Sequence, residues 1–156
     1  MRSGRILLMR HAEKPDHPLD PNLSQEGHER AKHLVGFVEK TFGIPAFPFA
    51  SANSDHSRRP LETIEPLSRA FGVPIDLRFA DQNYPALAAE LLKNPRYRGQ
   101  LILICWHHKH LPSLAHALGA NHGYYPDSWD PKVFNLIVEL NFIGETPAVR
   151  KVLEPF

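Results

Sequence analysis

The sequence predicts an α/β fold, a three-layer α/β/α sandwich around a mostly parallel central sheet with an antiparallel edge. Two apolar runs, ILLM at 6–9 and LILICW at 101–106, are continuous, which is typical of strands buried on both faces of a parallel sheet. Strand and helix patterns alternate along the chain, which favours helices on both faces of that sheet. A length of 156 residues favours one domain spanning 1–156.

The first half of the chain supplies the strand at 6–9, a helix, a second strand at 47–53 and a second helix. Ser24 is a suitable N-cap for the first helix, and Gly43 a suitable stop for it. The second helix begins near Pro60, which fits a first helical turn, and ends at Gly72. Within it, Pro66 is expected to kink or shorten the helix.

The second half begins with a strand pattern at 73–79 and a helix at 84–94 that Pro85 opens. The strand at 101–106 follows, and then a helix at 111–119. The last two segments, 133–142 and 147–155, alternate more between apolar and polar residues, and the turn sequence IGET separates them. They predict a terminal hairpin or a pair of edge strands.

Composition excludes several classes of partner. The formal net charge of +1 gives no bulk attraction for nucleic acid or an anionic membrane, and no apolar run is long enough to cross a bilayer. The single cysteine, Cys105, cannot form an intramolecular disulfide, which fits a reducing compartment. We therefore expect a cytoplasmic protein. Any chemistry on anions must come from cations that are placed locally.

Reactive and cationic residues follow three of the predicted strands. Arg10 and His11 end the first strand, Arg58 and Arg59 follow the second, and His107 and His108 follow the strand at 101–106. In open α/β sheets, ligands bind outside the carboxyl ends of the strands, so these side chains are expected to converge. Guanidinium groups match phosphate oxygens, and a neutral imidazole among cations is a suitable nucleophile. The set indicates phosphoryl transfer.

Four ordered motifs resemble those of the histidine phosphatase superfamily, which has the phosphoglycerate mutase-like fold, and of its small branch of signalling histidine phosphatases. LLMRHAEKP resembles the Arg-His-Gly/Ala signature of the superfamily, and LSQEGHERA resembles its Leu-Ser/Thr-x-x-Gly segment. SRRPLETIEPL resembles its Arg-Ala-x-x-Thr-x-x-Pro-Leu segment, and LILICWHH resembles the strand that carries its second histidine. Together they span roughly residues 6–119.

The resemblance implies roles for these residues. His11 corresponds to the nucleophile that becomes a phosphohistidine, and Arg10 to a clamp on the phosphoryl oxygens. Arg59 corresponds to the second arginine, with Arg58 as the alternative. His107 corresponds to the second histidine by its spacing to the next helix. The superfamily's glycine after that histidine is missing, however, and the residue in its place, His108, is the alternative.

A leaving group also needs a proton donor. Asp81, after the third predicted strand, and Glu13, beside the nucleophile, are the two candidates for that acid. The predicted substrate-binding residues are Arg10, Arg58, Arg59 and Lys14. The chain lacks the long insertion with which the superfamily's sugar-phosphate mutases enclose their substrates, which favours hydrolysis of a phosphorylated small molecule or phosphoprotein.

Three alternatives stay open at the level of sequence. His107, His108 and His110 could bind a metal, but adjacent side chains diverge and no carboxylate or cysteine cluster flanks them, so neither metal nor cofactor is expected. The same pocket would also suit a phosphomutase or a phosphate-binding scaffold without catalysis. The sequence indicates neither the substrate nor the oligomeric state.

Overall fold

The central sheet has the predicted mixed architecture. The computed structural model describes residues 3–123 and 125–156, and within them the sheet has five strands in the order β2-β3-β1-β4-β5. Neighbours β2, β3 and β1 are parallel, whereas β4 is antiparallel to both β1 and β5. The strands are β1 (Gly4–Arg10), β2 (Phe47–Ala50), β3 (Leu101–Trp106), β4 (Leu136–Phe142) and β5 (Ala148–Leu153).

Helices cover both faces of this sheet. Ile6 and Leu8 of β1 belong to one apolar core together with residues of α3 and α4. Leu7 and Met9 point the other way and pack with residues of α1 and α2. Alternation along a central strand therefore generates the three layers, and the predicted fold class is confirmed. The helices are α1 (Gln25–Thr41), α2 (Arg59–Phe71), α3 (Tyr84–Lys93) and α4 (Leu111–Ala117).

Local signals set the ends of α1 and α2 as the sequence indicates. The Ser24 hydroxyl accepts a hydrogen bond from the amide of Gly27 at 3.0 Å and so caps α1. Gly72 ends α2 in the left-handed conformation, with φ at 67°. Pro66, however, does not shorten α2, because the helix continues to Phe71.

The strand predicted at 73–79 is wrong, because only an isolated bridge between Asp76 and Phe49 forms there. The Asp76 amide donates to the Pro48 carbonyl, and the Ala50 amide donates to the Asp76 carbonyl. Pro48 has no N–H with which to extend this ladder, and proline is tolerated mainly on such an edge. The predicted hairpin of the last two segments is confirmed as β4 and β5.

The carboxyl ends of β1, β2 and β3 lie side by side at one edge of the sheet. Arg10 is in register with Trp106, and Ala50 is in register with Cys105. The residues that follow these strands therefore start from one place. None of the helices in the two described ranges is long and apolar enough to cross a membrane.

The N-terminus of α1 packs closely against the segment that follows β1. The Glu13 carbonyl accepts a hydrogen bond from the Ser24 amide at 3.0 Å. A Cβ atom on Gly27 would lie only 2.5 Å from that same oxygen and 3.1 Å from the Glu13 nitrogen. Only glycine permits this approach of helix to backbone, so Gly27 fixes where residues 11–13 lie.

We predict that Gly27→Ala lowers the free energy of unfolding by about 1–3 kcal/mol, because backbone must move to make room for the new methyl group. Urea denaturation at neutral pH measures this change. Gly36→Ala is the matched control, because it lies on the same helix and a Cβ atom there would have no neighbour within 4 Å. The control should gain about 0.5–1 kcal/mol. Equal effects of the two substitutions would contradict the close approach.

Candidate active site

A cavity of about 480 Å³ lies at the carboxyl ends of β1, β2 and β3. A second cavity, of about 460 Å³, lies beside β2, but its lining contains no histidine and is mainly apolar. Because histidines, cations and a carboxylate meet only in the first of these two cavities, that cavity is the candidate active site. Of the predicted site residues, the first cavity collects Arg10, His11, Lys14, Arg59, Asp81, His107 and His108.

His11 is buried at the end of β1, with 2% of its surface exposed. Its Nδ1 lies 2.7 Å from the carbonyl oxygen of Ala12. A carbonyl can only accept, so Nδ1 carries the hydrogen and Nε2 of the neutral ring keeps its lone pair. Burial lowers the pKa of His11 to about 2; the bond to Ala12 opposes the shift, and nearby Arg10 adds to it. The imidazole is therefore neutral at any physiological pH.

Thr63 of α2 connects Ala12, the residue after His11, to the start of its own helix. Its hydroxyl accepts a hydrogen bond from the Ala12 amide at 2.9 Å and donates one to the Arg59 carbonyl at 2.7 Å. The Thr63 side chain thus bonds to the backbone of both Ala12, whose carbonyl accepts from His11, and Arg59. This threonine lies within one of the sequence motifs but was not predicted as a site residue.

Arg10 and Arg59 are each anchored through their terminal nitrogens, and Nη2 of Arg59 also donates a long bond of 3.5 Å to the His56 carbonyl. Arg10 donates from Nη1 to the Pro131 carbonyl, and its guanidinium lies 4.0 Å from the centre of the Phe134 ring. Arg59 donates from Nη1 to the Asp20 carbonyl at 2.7 Å. Burial lowers the pKa of Arg10 to about 10, assisted by Arg59, and burial lowers that of Arg59 as well. Arg10 remains cationic at neutral pH.

Three buried donors on residues that line the cavity have no hydrogen-bond partner in the described part of the chain. They are Nε of Arg10, Nε of Arg59 and the hydroxyl of Ser51. Buried polar groups are normally satisfied, so three unpartnered donors on residues that line one cavity indicate a ligand rich in acceptor oxygens. Ser51 was missed at the level of sequence, where its position just after β2 was the available signal.

His107 and His108 both line the cavity but differ in their contacts. The His107 ring meets the His11 ring edge to face, with centroids 5.3 Å apart. Burial lowers the pKa of His107, whereas Asp81 acts in the opposite direction. His108 is more exposed; burial and the nearby charges of Arg10 and Lys109 lower its pKa to about 4. Neither imidazole adds a positive charge at neutral pH.

Asp81 stands at the start of a short 3-10 helix (Asp81–Asn83) on the cavity wall. The indole N–H of Trp106 donates to its backbone carbonyl at 3.1 Å and so ties this wall to the end of β3. Its carboxylate lies 2.9 Å from Nδ1 of His110, although the two atoms lack hydrogen-bond geometry. About a third of the side chain is exposed, so the carboxylate can reach the cavity.

Solved structures match this fold over almost the whole chain. A SixA protein histidine phosphatase in complex with tungstate has a TM-score of 0.67 at 10% identity, covering 96% of each chain. A mycobacterial glucosyl-3-phosphoglycerate phosphatase with inorganic phosphate has 0.61 at 16%, covering 96% of this chain and 95% of that one. A phosphoglycerate mutase from Plasmodium falciparum has 0.63 at 14%, covering 97% and 91%.

The chain has the histidine phosphatase fold. At these identities the likeness concerns the fold alone, and it confirms the resemblance seen in the motifs at that level. Neither a family model nor a curated protein sequence matches the chain.

On this histidine phosphatase fold, the four sequence motifs contribute either to the cavity or to its support. The first and fourth motifs supply His11 and His107, which touch each other. The third supplies Arg59 to the lining and Thr63 to the backbone behind it. The second supplies Gly27, which packs on the Glu13 backbone without reaching the cavity.

The structure does not bring Glu13 and Arg58 into the cavity, contrary to the prediction from sequence. The Glu13 carboxylate points to Arg30 and receives hydrogen bonds from its Nε and Nη2, both at 2.9 Å. Arg30 also pairs with the buried Glu154, so Glu13 is committed to a structural network. Arg58 is exposed at the N-cap of α2, and its amide donates to the Pro21 carbonyl.

We predict that His11 makes the fold less stable in acid. Its folded pKa of about 2 lies below the ordinary 6.5, so the unfolded chain takes up a proton that the folded chain refuses. The stability present above pH 6.5 is lost as the pH falls below it, by about 2 kcal/mol between pH 7 and pH 5. Urea denaturation at both pH values, without phosphate, measures this loss.

His11→Asn should remove that part of the acid sensitivity, whereas His28→Asn, at an exposed position on α1, should keep it. The comparison is needed because the ionisation of Glu154 changes the free energy of unfolding with pH in the opposite direction. Burial raises its pKa to about 7, so its own contribution decreases as the pH rises through that range. An unchanged loss in His11→Asn would disprove the assignment.

Proposed function

We propose that the protein is a phosphatase that hydrolyses a phosphomonoester or a phosphohistidine through a covalent phosphohistidine on His11. One observation carries this proposal: the free Nε2 of a buried, neutral imidazole shares a cavity with two guanidinium groups that each retain an unpartnered Nε. The ring has no proton to lose before it attacks phosphorus, and the arginines stabilise the charge on the phosphoryl oxygens.

The phosphoryl group binds where the unpartnered donors lie. Nε of Arg10, Nε of Arg59 and the Ser51 hydroxyl supply hydrogen bonds to oxygens around one tetrahedral centre. Hydrogen bonds from charged donors to phosphate are stronger than those from neutral donors. Both guanidinium groups are already held in place by bonds from Nη1, to the Pro131 carbonyl for Arg10 and to the Asp20 carbonyl for Arg59. The tungstate and phosphate complexes of two proteins with the same fold support an oxyanion as ligand.

In the first step, Nε2 of His11 attacks phosphorus in line with the leaving oxygen. The new N–P bond forms as the P–O bond breaks, and Asp81 donates its proton to the departing oxygen. Asp81 is favoured over Glu13 because its carboxylate lies on the cavity wall, whereas that of Glu13 is bound to Arg30. The products of this step are the alcohol and phospho-His11.

In the second step, water attacks the phosphorus of phospho-His11. Asp81, now a carboxylate, accepts a proton from the water as the new P–O bond forms and the N–P bond breaks. Inorganic phosphate and neutral His11 are released, and Asp81 regains its proton. The bond from Nδ1 to Ala12 holds the ring in place through both steps.

His107 is favoured as the second histidine. Its ring contacts His11, and it is the more buried of the two. Since burial keeps it neutral, one ring nitrogen can donate to a phosphoryl oxygen without repelling the arginines. The His108 ring lies near the charged side chains of Lys14 and Lys109, which contribute to lowering its pKa.

Hydrolysis is favoured over both a mutase and a non-catalytic scaffold. The described lining of the cavity comes from the segments that follow β1, β2 and β3 and from the start of α2. The side chain of Asp81 is partly exposed, so water can reach it. A pocket that only binds phosphate has no need for a carboxylate beside an unprotonated imidazole.

The single cysteine, which is buried in β3, agrees with the expectation of a reducing cytoplasm.

His11→Ala should lower kcat/KM for 4-nitrophenyl phosphate by at least about a thousandfold, because the variant lacks the nitrogen that attacks phosphorus in the proposed mechanism. The rate of phosphate release measures this. Quenching with alkaline denaturant after reaction with labelled substrate should also trap a phosphoenzyme that is stable in base and labile in acid, as a phosphohistidine is, and that His11→Ala cannot form. His28→Ala serves as the control at an exposed histidine.

Wild-type activity in His11→Ala would refute the mechanism. A chelator should not change the rate: no group of three or more His, Cys, Asp or Glu side chains within 3–123 and 125–156 is placed to hold a metal ion. Loss of activity on chelation that zinc restores would favour the metal alternative instead.

Asp81→Asn should affect poor leaving groups more than good ones, because an alkoxide needs a proton and 4-nitrophenolate does not. We expect kcat/KM to fall roughly 10²–10⁴-fold for an alkyl phosphate and much less for 4-nitrophenyl phosphate. Glu13→Gln is the matched control and should leave this dependence on the leaving group unchanged. If only Glu13→Gln produced it, the assignment of the acid would be reversed.

A further inference from the structure

The cavity carries more positive charge than one phosphoryl group requires. Its described lining has four cationic side chains, from Arg10, Lys14, Arg59 and Lys109, against the single carboxylate of Asp81. With neutral histidines, the formal charge of this lining is +3 while Asp81 is ionised and +4 while Asp81 carries the proton that it donates in the proposed first step. A phosphoryl dianion leaves an excess of positive charge, and the position of that excess indicates what else the ligand carries.

The two arginines are partly balanced from behind the cavity wall. Glu13 and Asp130 act on Arg10, and Asp20 and Glu62 act on Arg59, in each case favouring the charged form. These carboxylates are not part of the cavity lining. Once a phosphoryl group binds, its charge and these carboxylates together therefore largely balance the positive charges of the two arginines.

Lys14 has no such balance. The charged groups that act on it are all cations, namely Arg59, Arg10 and Lys109, and together with burial they lower its pKa. Neither Lys14 nor Lys109 makes a salt bridge or a side-chain hydrogen bond with the part of the chain that the structure describes. The two ammonium groups at this cavity repel each other, and an anion bound near both of them would relieve that repulsion.

We propose that the substrate is a phosphomonoester with a second anionic group, a carboxylate or another phosphate, which Lys14 and Lys109 bind while Arg10 and Arg59 hold the phosphoryl group. The inference rests on the proposed phosphatase function and specifies its substrate class. The two lysines lie on different segments, one after β1 and one after β3, so they flank the phosphoryl site. They act as specificity-determining residues.

Aryl phosphates test this directly. The probes are phenyl phosphates with a carboxylate or a phosphonate on the 3- or 4-position, and the neutral reference is the matching carbamoyl compound. The quantity measured is the ratio of kcat/KM between charged probe and neutral reference, at low ionic strength where exposed charges act most strongly. The carboxylate and phosphonate arms distinguish the two possible sources of the second charge.

We expect wild-type protein to prefer at least one charged probe, and the Lys14→Gln/Lys109→Gln double variant to lower that ratio about three- to tenfold, as exposed ion pairs of this kind allow. Taking each ratio within one protein cancels the different reactivities of the leaving groups. Lys151→Gln on β5, an exposed lysine outside the cavity, should keep the wild-type ratio. Both cavity lysines are exposed, so the double variant should fold.

Equal ratios in the wild type and the double variant would overturn the inference while leaving the phosphatase proposal intact. If no probe were hydrolysed, the phosphatase proposal would fail, and binding would decide the inference. Calorimetry would then compare 4-carboxybenzylphosphonate with benzylphosphonate in both proteins. Tighter binding of the carboxylate that depends on the lysines supports the second anion site, and equal affinity overturns it.

Discussion

The contact between Nδ1 of His11 and the carbonyl oxygen of Ala12 decides what this cavity can do. It fixes one tautomer, so the lone pair lies on Nε2, and it restrains the ring from rotating. Burial then prevents a proton from occupying that lone pair, even though a carbonyl partner favours protonation. With the opposite tautomer, the same arginines would surround an N–H group, which suits anion binding and not attack on phosphorus.

The elements behind the cavity all act on the short segment that contains this contact. The amide of Ala12 is held by Thr63 of α2, and the carbonyl of Glu13 by the first turn of α1. The Glu13 side chain is held in turn by Arg30. Because the residues that follow His11 are fixed by different partners, the backbone that carries the imidazole is held from outside the cavity.

The sequence predicted the strands that place the site but not every side chain within it. Continuous apolar runs identified β1 and β3, and the rule for strand ends then brought His11 and His107 together. The strand expected at 73–79 failed because strand patterning cannot reveal that Pro48 closes the neighbouring edge. Glu13 was misplaced because adjacency in sequence does not say which way a side chain points. Thr63 contributes through two hydrogen bonds to the backbone and Ser51 through an unpartnered hydroxyl, and neither feature leaves a periodic signal in the sequence.

In this cavity, the positive charge comes from arginine and lysine side chains, whereas the histidines are neutral. Burial keeps the histidines neutral, so arginine and lysine supply all the positive charge that the described lining presents to the ligand. The Arg10 guanidinium stays charged near neutral pH, and burial favours the neutral form of the His11 and His107 imidazoles. Between pH 5 and 8, the main ionisation that changes binding is then that of the substrate, whose second phosphate pKa is about 6. Under the proposed mechanism, this fixed positive charge binds the dianion, and the lone pair on Nε2 of His11 stays available for attack wherever the dianion exists.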